Sequence, residues 1–418
     1  MNFFAVPTRR GLLFLLLTLA ALAVAWMNPG LITAFTAAMF AAILLSSFFM
    51  AFFSLAGIVI ERKFPDTGYC NKAFYMDTVT QNRLFLYRQE YIITENLPFI
   101  LSGQYAFVIP ALAPREEKLL SFQICGEKRG EYQLEKVFLC SGDPLGLFRK
   151  KKLFRLPARI TILPRLFPLS SLAVINRRGG LPHPEGRMLG HAGKGQEFFG
   201  VRPYRAGDEV KHIHWKSTAA KGRLMVKEFE ASAVDQIVIL LDTEKKMISM
   251  ETCDNNFEFL ISCANSIAEY LSGRYCYLQF FAAGEEKGEL HFLSGDASSV
   301  KGRIQQLLTN IQGSKQSFST LLSLAAEQIP HGSIVYLLTM SPEELPGYIG
   351  ILQEQDCFCF WLYAPAENFP PVEKDKPRVL DRSRMKERLK TLPVDVVTAD
   401  FTSKAEELLK SGNPYEKI

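Results

Sequence analysis

The 418-residue chain contains no C-x-x-C pair, and of its eight cysteines only Cys357 and Cys359 stand close together. That spacing supports neither a zinc ribbon nor a disulfide framework, so the thiols read as reduced and mostly buried. Acidic residues are missing from the first sixty positions, where Arg9 and Arg10 are the sole charges. Long apolar runs are missing after Ile60, which excludes a polytopic transporter. No G-x-S-x-G nucleophile elbow occurs. A phosphate loop fails at Gly190–Gly195, where Met188 replaces the first glycine and Gly195 the hydroxyl residue; the run reads as a flexible glycine loop. A net charge of +5 is too mild to argue for nucleic acid, and 48% hydrophobic residues exclude disorder.

What is present begins with two apolar runs, Gly11–Met27 and Leu31–Ile60, separated by Asn28-Pro29-Gly30. A span needs roughly 20 apolar residues, so the two runs read as a transmembrane helical hairpin with a tight outer turn. Arg9 and Arg10 precede it, Arg62 and Lys63 follow it, and the turn has no basic residue. The positive-inside bias then puts both termini and the soluble domains in the cytoplasm, at a plasma membrane. A cleavable signal ending near Ala23-Val24-Ala25 is the rival reading.

Four regions follow from the patterning: a hairpin over 1–63, a β-sandwich over 64–165, a segment over 166–233 with little periodicity, and an α/β domain over 234–418. Short runs rich in β-branched and aromatic residues (Tyr91–Thr94, Tyr105–Ile109, Leu119–Cys125, Glu131–Cys140) suggest the antiparallel sandwich. The basic run Arg149–Lys152 with Arg155 reads as a solvated edge or loop, or a contact with anionic headgroups. The third region carries four of the six histidines, and Asn176–Glu230 has eleven Lys/Arg against six Asp/Glu. From Asp235 onward strand and helix patterns alternate, which argues a largely parallel sheet. Ligands of such sheets bind at the carboxyl ends of the strands, and Asp242 follows the first of these.

A metal-ion adhesion site at that strand end would use D-x-S-x-S, with a carboxylate and two hydroxyls around Mg²⁺. Glu244 and Lys246 occupy the two serine positions, and Met340-Ser341 stands where a second Asp is wanted. The site is therefore degenerate, and neither a metal nor a cofactor is expected. His212 and His214 share a strand face and, with Asp208, offer a weak metal or hydrolase constellation.

The run Phe199–Asp208, continuing through Ile213–Ala220 to Leu224–Glu230, resembles the signature of the bacterial domain-of-unknown-function-58 family. Lys128–Tyr132, Asp143–Phe148 and Ile162–Arg165 resemble its upstream motifs. The resemblance implies two membrane helices, a β-sandwich, the signature segment and a von Willebrand factor A-like, Rossmann-like α/β domain. It also implies partners: a MoxR-type AAA+ ATPase or a transglutaminase-like membrane protein.

In the signature, Arg202, Arg205 and Lys216 are placed to meet acidic groups, and Asp208 after Gly207 suits a turn where it pairs with one of them. Trp215 is expected to be buried as the segment's apolar anchor, while a docking surface built on Arg202, Tyr204, Arg205, Gly207, Asp208, His214, Trp215 and Lys216 is the alternative. The leading expectation is a non-enzymatic, membrane-anchored scaffold that binds a protein partner and no nucleic acid. A hydrolase using His212, His214 and Asp208, or a basic surface binding lipid or nucleic acid, are the competing expectations.

Overall fold

Thr8 accepts a hydrogen bond from the Gly11 N–H at 3.1 Å and so caps the first helix, α1 (Arg9–Met27); Gly30 begins the second, α2 (Leu31–Phe53). In this computed structural model the described residues are 5–172, 187–204, 213–233, 235–249, 254–286, 288–341, 345–369, 395–399 and 404–410. The chain divides into two units, Met1–Leu163 and Pro164–Ile418.

In the first unit α1 and α2 are long and apolar enough to cross a bilayer. At 1.5 Å per residue they measure about 28 and about 34 Å, against roughly 30 Å of hydrocarbon. Small side chains at Gly11, Thr18, Ala37, Ser47 and Ala51 are the buried ones, while most leucines and phenylalanines face outward. The strands are β1 (Val6–Pro7), β2 (Ile58–Lys63), β3 (Thr67–Tyr69), β4 (Ala73–Asn82), β5 (Tyr91–Asn96), β6 (Gln104–Ile109), β7 (Glu117–Cys125), β8 (Gly130–Gly142) and β9 (Phe148–Leu163). One sheet runs β1-β9-β8-β5-β6 with β3 beside β9; the other runs β2-β4-β7. They share a core in which Ile58, Met76 and Ile124 of the small sheet join Tyr91, Ile93, Leu139 and Ile160 of the large one.

Two expectations are corrected in this unit. The hairpin was expected to extend to residue 63, but α2 stops at Phe53 and Ile58–Lys63 is a sandwich strand. An apolar run alone does not separate a helix from a buried strand. Arg62, expected to flank the membrane, is instead buried and ion-paired with Glu95. The basic run Arg149–Lys152, read as a solvated edge or loop, lies in β9, paired with β8 on one side and, within the run beyond Arg149, with no strand among the described residues on the other; Lys151 lies 4.1 Å from the Phe138 ring and Lys152 4.6 Å from Phe154. Cation–aromatic contact and long aliphatic stems make that placement tolerable.

In the second unit β10 (Arg187–Pro203) pairs antiparallel with β11 (Met225–Ala233), and α3 (Trp215–Lys221) lies between them in sequence. Gly190–Gly195 thus belongs to a strand rather than a glycine loop. The α/β portion follows as β12 (Asp235–Leu241), α4 (Asn256–Ser272), β13 (Cys276–Ala283), β14 (Leu290–Asp296), α5 (Ala297–Asn310), α6 (Phe318–Ala326), β15 (Ile334–Thr339), α7 (Leu345–Glu354), β16 (Phe358–Tyr363), β17 (Asp395–Thr398) and α8 (Ala405–Lys410). Its sheet order is β14-β13-β12-β15-β16-β17, with β14 the antiparallel member. Counted from β12, that is 3-2-1-4-5-6, a doubly wound order whose switch point lies between β12 and β15. Alternate β12 residues face opposite cores: Ile237, Ile239 and Leu241 pack with α4 and α5, and Val238 and Leu240 with α6 and α7.

Candidate functional site

Asp242 leaves β12 at the switch point, where sequence places it, but its carboxylate points into the protein. It is fully buried, and Oδ1 accepts from the Glu244 N–H at 2.9 Å while Oδ2 accepts from the Met340 N–H at 2.8 Å. The side chain therefore bridges the ends of β12 and β15. Burial pushes its pKa up to about 6; the backbone donors at Glu244, Met340 and Ser341 oppose that rise without cancelling it.

The neighbouring hydroxyls are also engaged. Thr243 donates to the Ala283 carbonyl at 3.1 Å, and the Ser314 N–H donates to the Thr243 carbonyl at 2.6 Å. Ser317 caps α6 by accepting from the Thr320 N–H. Glu244, Lys246, Glu285, Glu286, Lys315 and Thr320 line an open depression of about 770 Å³ above this network. Among the described residues no three His, Cys, Asp or Glu side chains gather as metal ligands.

The signature segment is built around the start of β11. The Tyr204 N–H donates to the Leu224 carbonyl at 2.9 Å, and the His214 N–H donates to the Met225 carbonyl at 2.8 Å. Residues on both flanks of the segment thereby meet on Leu224–Met225. His214 is the N-cap of α3: its Nδ1 accepts from the Ser217 N–H at 3.2 Å and lies 2.7 Å from Ser217 Oγ. Gly222, at φ +65°, ends the helix by donating to the Thr218 carbonyl at 2.9 Å, a left-handed stop that glycine makes without strain. Arg202 Nη1 donates to the Pro203 carbonyl at 3.1 Å. Arg205, Gly207, Asp208 and His212 lie outside the described residues, and so does the pairing expected for Asp208.

Trp215 overturns an expectation. It was expected to be the buried anchor, yet it is 65% exposed. It opens α3, a seven-residue helix with no buried residue, so that position has no core to face. Tyr204 at 36% and Leu224 at 45% are also exposed, which leaves three large side chains in solvent around one short stretch of backbone. Leu224 escaped the sequence reading because an apolar residue before a strand ordinarily reads as core; its neighbours Met225 and Val226 are indeed buried.

Residues 200–274 match the family described as Protein of unknown function DUF58. The matched stretch runs from the end of β10 through α3, β11, β12 and α4, so it contains Trp215 and Asp242 together. The uncharacterized protein YeaD of Bacillus subtilis (strain 168) is 26% identical over 177 residues, which is 42% of this chain and 42% of that relative. The match thus spans less than half the length of the relative. Among solved structures, the CARDB domain of PF1109 from Pyrococcus furiosus aligns with 25% of this chain and 94% of its own at a TM-score of 0.19 and 16% identity. A Vibrio harveyi exo-β-N-acetylglucosaminidase aligns with 74% of this chain and 57% of its own at a TM-score of 0.18 and 8% identity. Similarities of that size carry no argument about fold or activity. The DUF58 match therefore stands as a similarity of the signature and the first part of the α/β portion.

Proposed function

We propose that this protein is a non-enzymatic, membrane-anchored scaffold of the DUF58 type. The hairpin spans the plasma membrane of a bacterium and holds the remaining domains in the cytoplasm. The α/β portion is a von Willebrand factor A-like domain, a reading supported by its 3-2-1-4-5-6 strand order. A protein partner docks on the signature segment, and a MoxR-type AAA+ ATPase is the partner we favour.

The observation that carries this reading is the exposed set Tyr204, Leu224 and Trp215. Large aromatic side chains dominate the energetics of protein interfaces, and a solvent-facing Trp offers more apolar area than any other residue. Lys216 follows Trp215 in the chain and supplies charge for steering an acidic partner. The engaged carboxylate of Asp242 supports the same view, because both its oxygens already brace the sheet end.

The test is co-purification of the MoxR-type ATPase with the full chain from detergent-solubilised membranes. Trp215→Ala should reduce ATPase recovery at least tenfold while leaving the melting temperature unchanged, since exposed side chains away from caps and cores shift stability by about 0.5 kcal/mol or less. Equal recovery with wild type and variant would remove the docking role from this segment.

A further inference from the structure

Asn82, fully buried at the end of β4, organises the loop that follows it. Its Nδ2 donates to the Leu86 carbonyl at 2.8 Å and the Ala113 carbonyl at 3.0 Å, and its Oδ1 accepts from the Leu84 N–H at 3.1 Å. The loop Leu84-Phe85-Leu86-Tyr87 is therefore built, not slack. All four of its side chains are nonetheless exposed, Phe85 at 71%. A fixed loop that spends four consecutive large apolar residues on solvent needs an occupant.

The loop is tied to the end of α2. The Arg83 N–H donates to the Gly57 carbonyl at 2.9 Å, and buried Arg88 donates Nη1 to the Phe53 carbonyl at 2.8 Å. Leu84 packs so closely on Gly57 that a Cβ there would collide with it. The loop is thus anchored next to the last turns of α2, where Phe49, Met50 and Phe53 are also exposed.

A second loop sits at the other foot of the hairpin. Asp143 accepts from the N–H groups of Leu145 at 3.0 Å and Phe148 at 2.6 Å, and from Ser47 Oγ of α2 at 3.0 Å. Thr8, the cap of α1, donates Oγ1 to the Gly146 carbonyl at 2.6 Å, and Gly11 leaves no room for a Cβ against Leu147. Leu145, at the tip of this turn, is 57% exposed. Cations surround both loops. The Arg115 guanidinium lies 4.0 Å from the Phe85 ring, Lys150 Nζ lies 4.2 Å from the Phe52 ring and donates to the Phe52 carbonyl, and Arg9, Arg10 and Arg83 are exposed.

We propose that these two loops form a lipid-binding collar: Phe85, Leu86, Tyr87 and Leu145 enter the headgroup–acyl boundary of the leaflet that contains the feet of the hairpin, and the flanking cations meet anionic phospholipid headgroups. Aromatic side chains with cations beside them are the residues that belong at that depth. The occupant is lipid because the loop is anchored to Phe53 and Gly57, at the end of the apolar helix α2. The inference rests on the reading that the hairpin spans a bilayer, and it adds that the sandwich itself sits in the membrane surface.

The full chain is reconstituted in vesicles of equal parts phosphatidylglycerol and phosphatidylcholine, with a benzophenone-bearing phenylalanine at one position per sample. The positions are Phe85, Tyr87, Leu19 in mid-α1, and Leu101, which is exposed in the turn at the far end of β5. After irradiation, phospholipid adducts are expected at 85, 87 and 19 and not at 101, and phosphatidylcholine alone should lower the yield at 85 severalfold. Adducts at 19 without any at 85 or 87 overturn the collar and leave the hairpin standing. Protein adducts at 85 and 87 in place of lipid overturn it in favour of a protein interface. Absence of adducts at 19 as well removes the hairpin reading, and the collar with it.

Discussion

Burial at the end of β12 pushes the Asp242 carboxyl up to about 6, against an ordinary value near 4. The folded state holds that proton more tightly than the unfolded chain, so the group's contribution is fully present below about pH 4 and is lost as pH rises through about 6. The loss is on the order of 3 kcal/mol for a shift of this size. Urea unfolding of the full chain in detergent checks this, read by Trp361, which is buried and donates to Thr339 Oγ1 at 2.7 Å. Against Asp242→Asn in a Trp26→Phe, Trp215→Phe background, wild type should lose more stability between pH 4 and pH 7. The amide cannot accept from both Glu244 and Met340, so the variant should be less stable at pH 4 and its profile flatter. Identical slopes would show that another group sets the pH dependence. Arg62 presents the converse case: burial pushes its guanidinium down to about 10, and its retained charge is balanced by Glu95. Nothing in the spacing of the sequence foretold that pair, because β2 and β5 meet only when the sandwich closes.

At the scale of elements, α3 is too short to persist by propensity alone, and its ends decide whether it forms. His214 at the start and Gly222 at the end supply both stops. Replacing a capping side chain by Ala costs about 1 kcal/mol, a factor of about five in the opening equilibrium. His214→Ala should therefore raise the hydrogen-exchange rate of the 215–221 amides about fivefold, and His214→Asn, which still accepts from N3, should restore most of the protection. Unchanged exchange in His214→Ala would mean that packing, not the cap, holds the helix. The histidine that the sequence offers as a metal ligand or base is thus committed through Nδ1 to its own helix. Most strands and helices were legible from periodicity: Glu131–Cys140 lies inside β8, and Asn255–Leu271 coincides with α4 to within a residue. Among those that escaped, β2, β9 and β14 break the pattern. The first is an apolar run beside a helix, the second opens on the basic run Arg149–Lys152, and the third is an edge strand with mixed exposure.

At the scale of the whole molecule, the charges at the feet of the hairpin bear on the proposed orientation. Arg9 and Arg10 begin α1, while the cations at the end of α2 are Arg88 and Lys150, which donate to the Phe53 and Phe52 carbonyls. The sandwich, and not the flanking sequence alone, thus supplies positive charge at the second foot. A cation at a helix C-terminus also complements its dipole. A reporter active solely in the cytoplasm, fused after residue 418, should be active, and one active solely in the periplasm should be silent. The reverse pattern would invert the topology and place the sandwich outside.

Local order set a great deal of this in the sequence itself. Two charge-free runs separated by Asn28–Gly30 specify paired apolar helices, because length and hydropathy are one-dimensional properties. Alternation of strand and helix patterns after Asp235 specifies the parallel sheet, and with it the position of Asp242 at a strand end. Direction and company are three-dimensional. Only the folded chain turns Asp242 inward onto the Glu244 and Met340 N–H groups, buries Arg62 against Glu95, leaves Trp215 in solvent and brings Asp143 to Ser47 across 96 residues of chain. Each of those outcomes depends on which surfaces meet when the sheets and helices pack, and residue type and spacing do not encode that meeting.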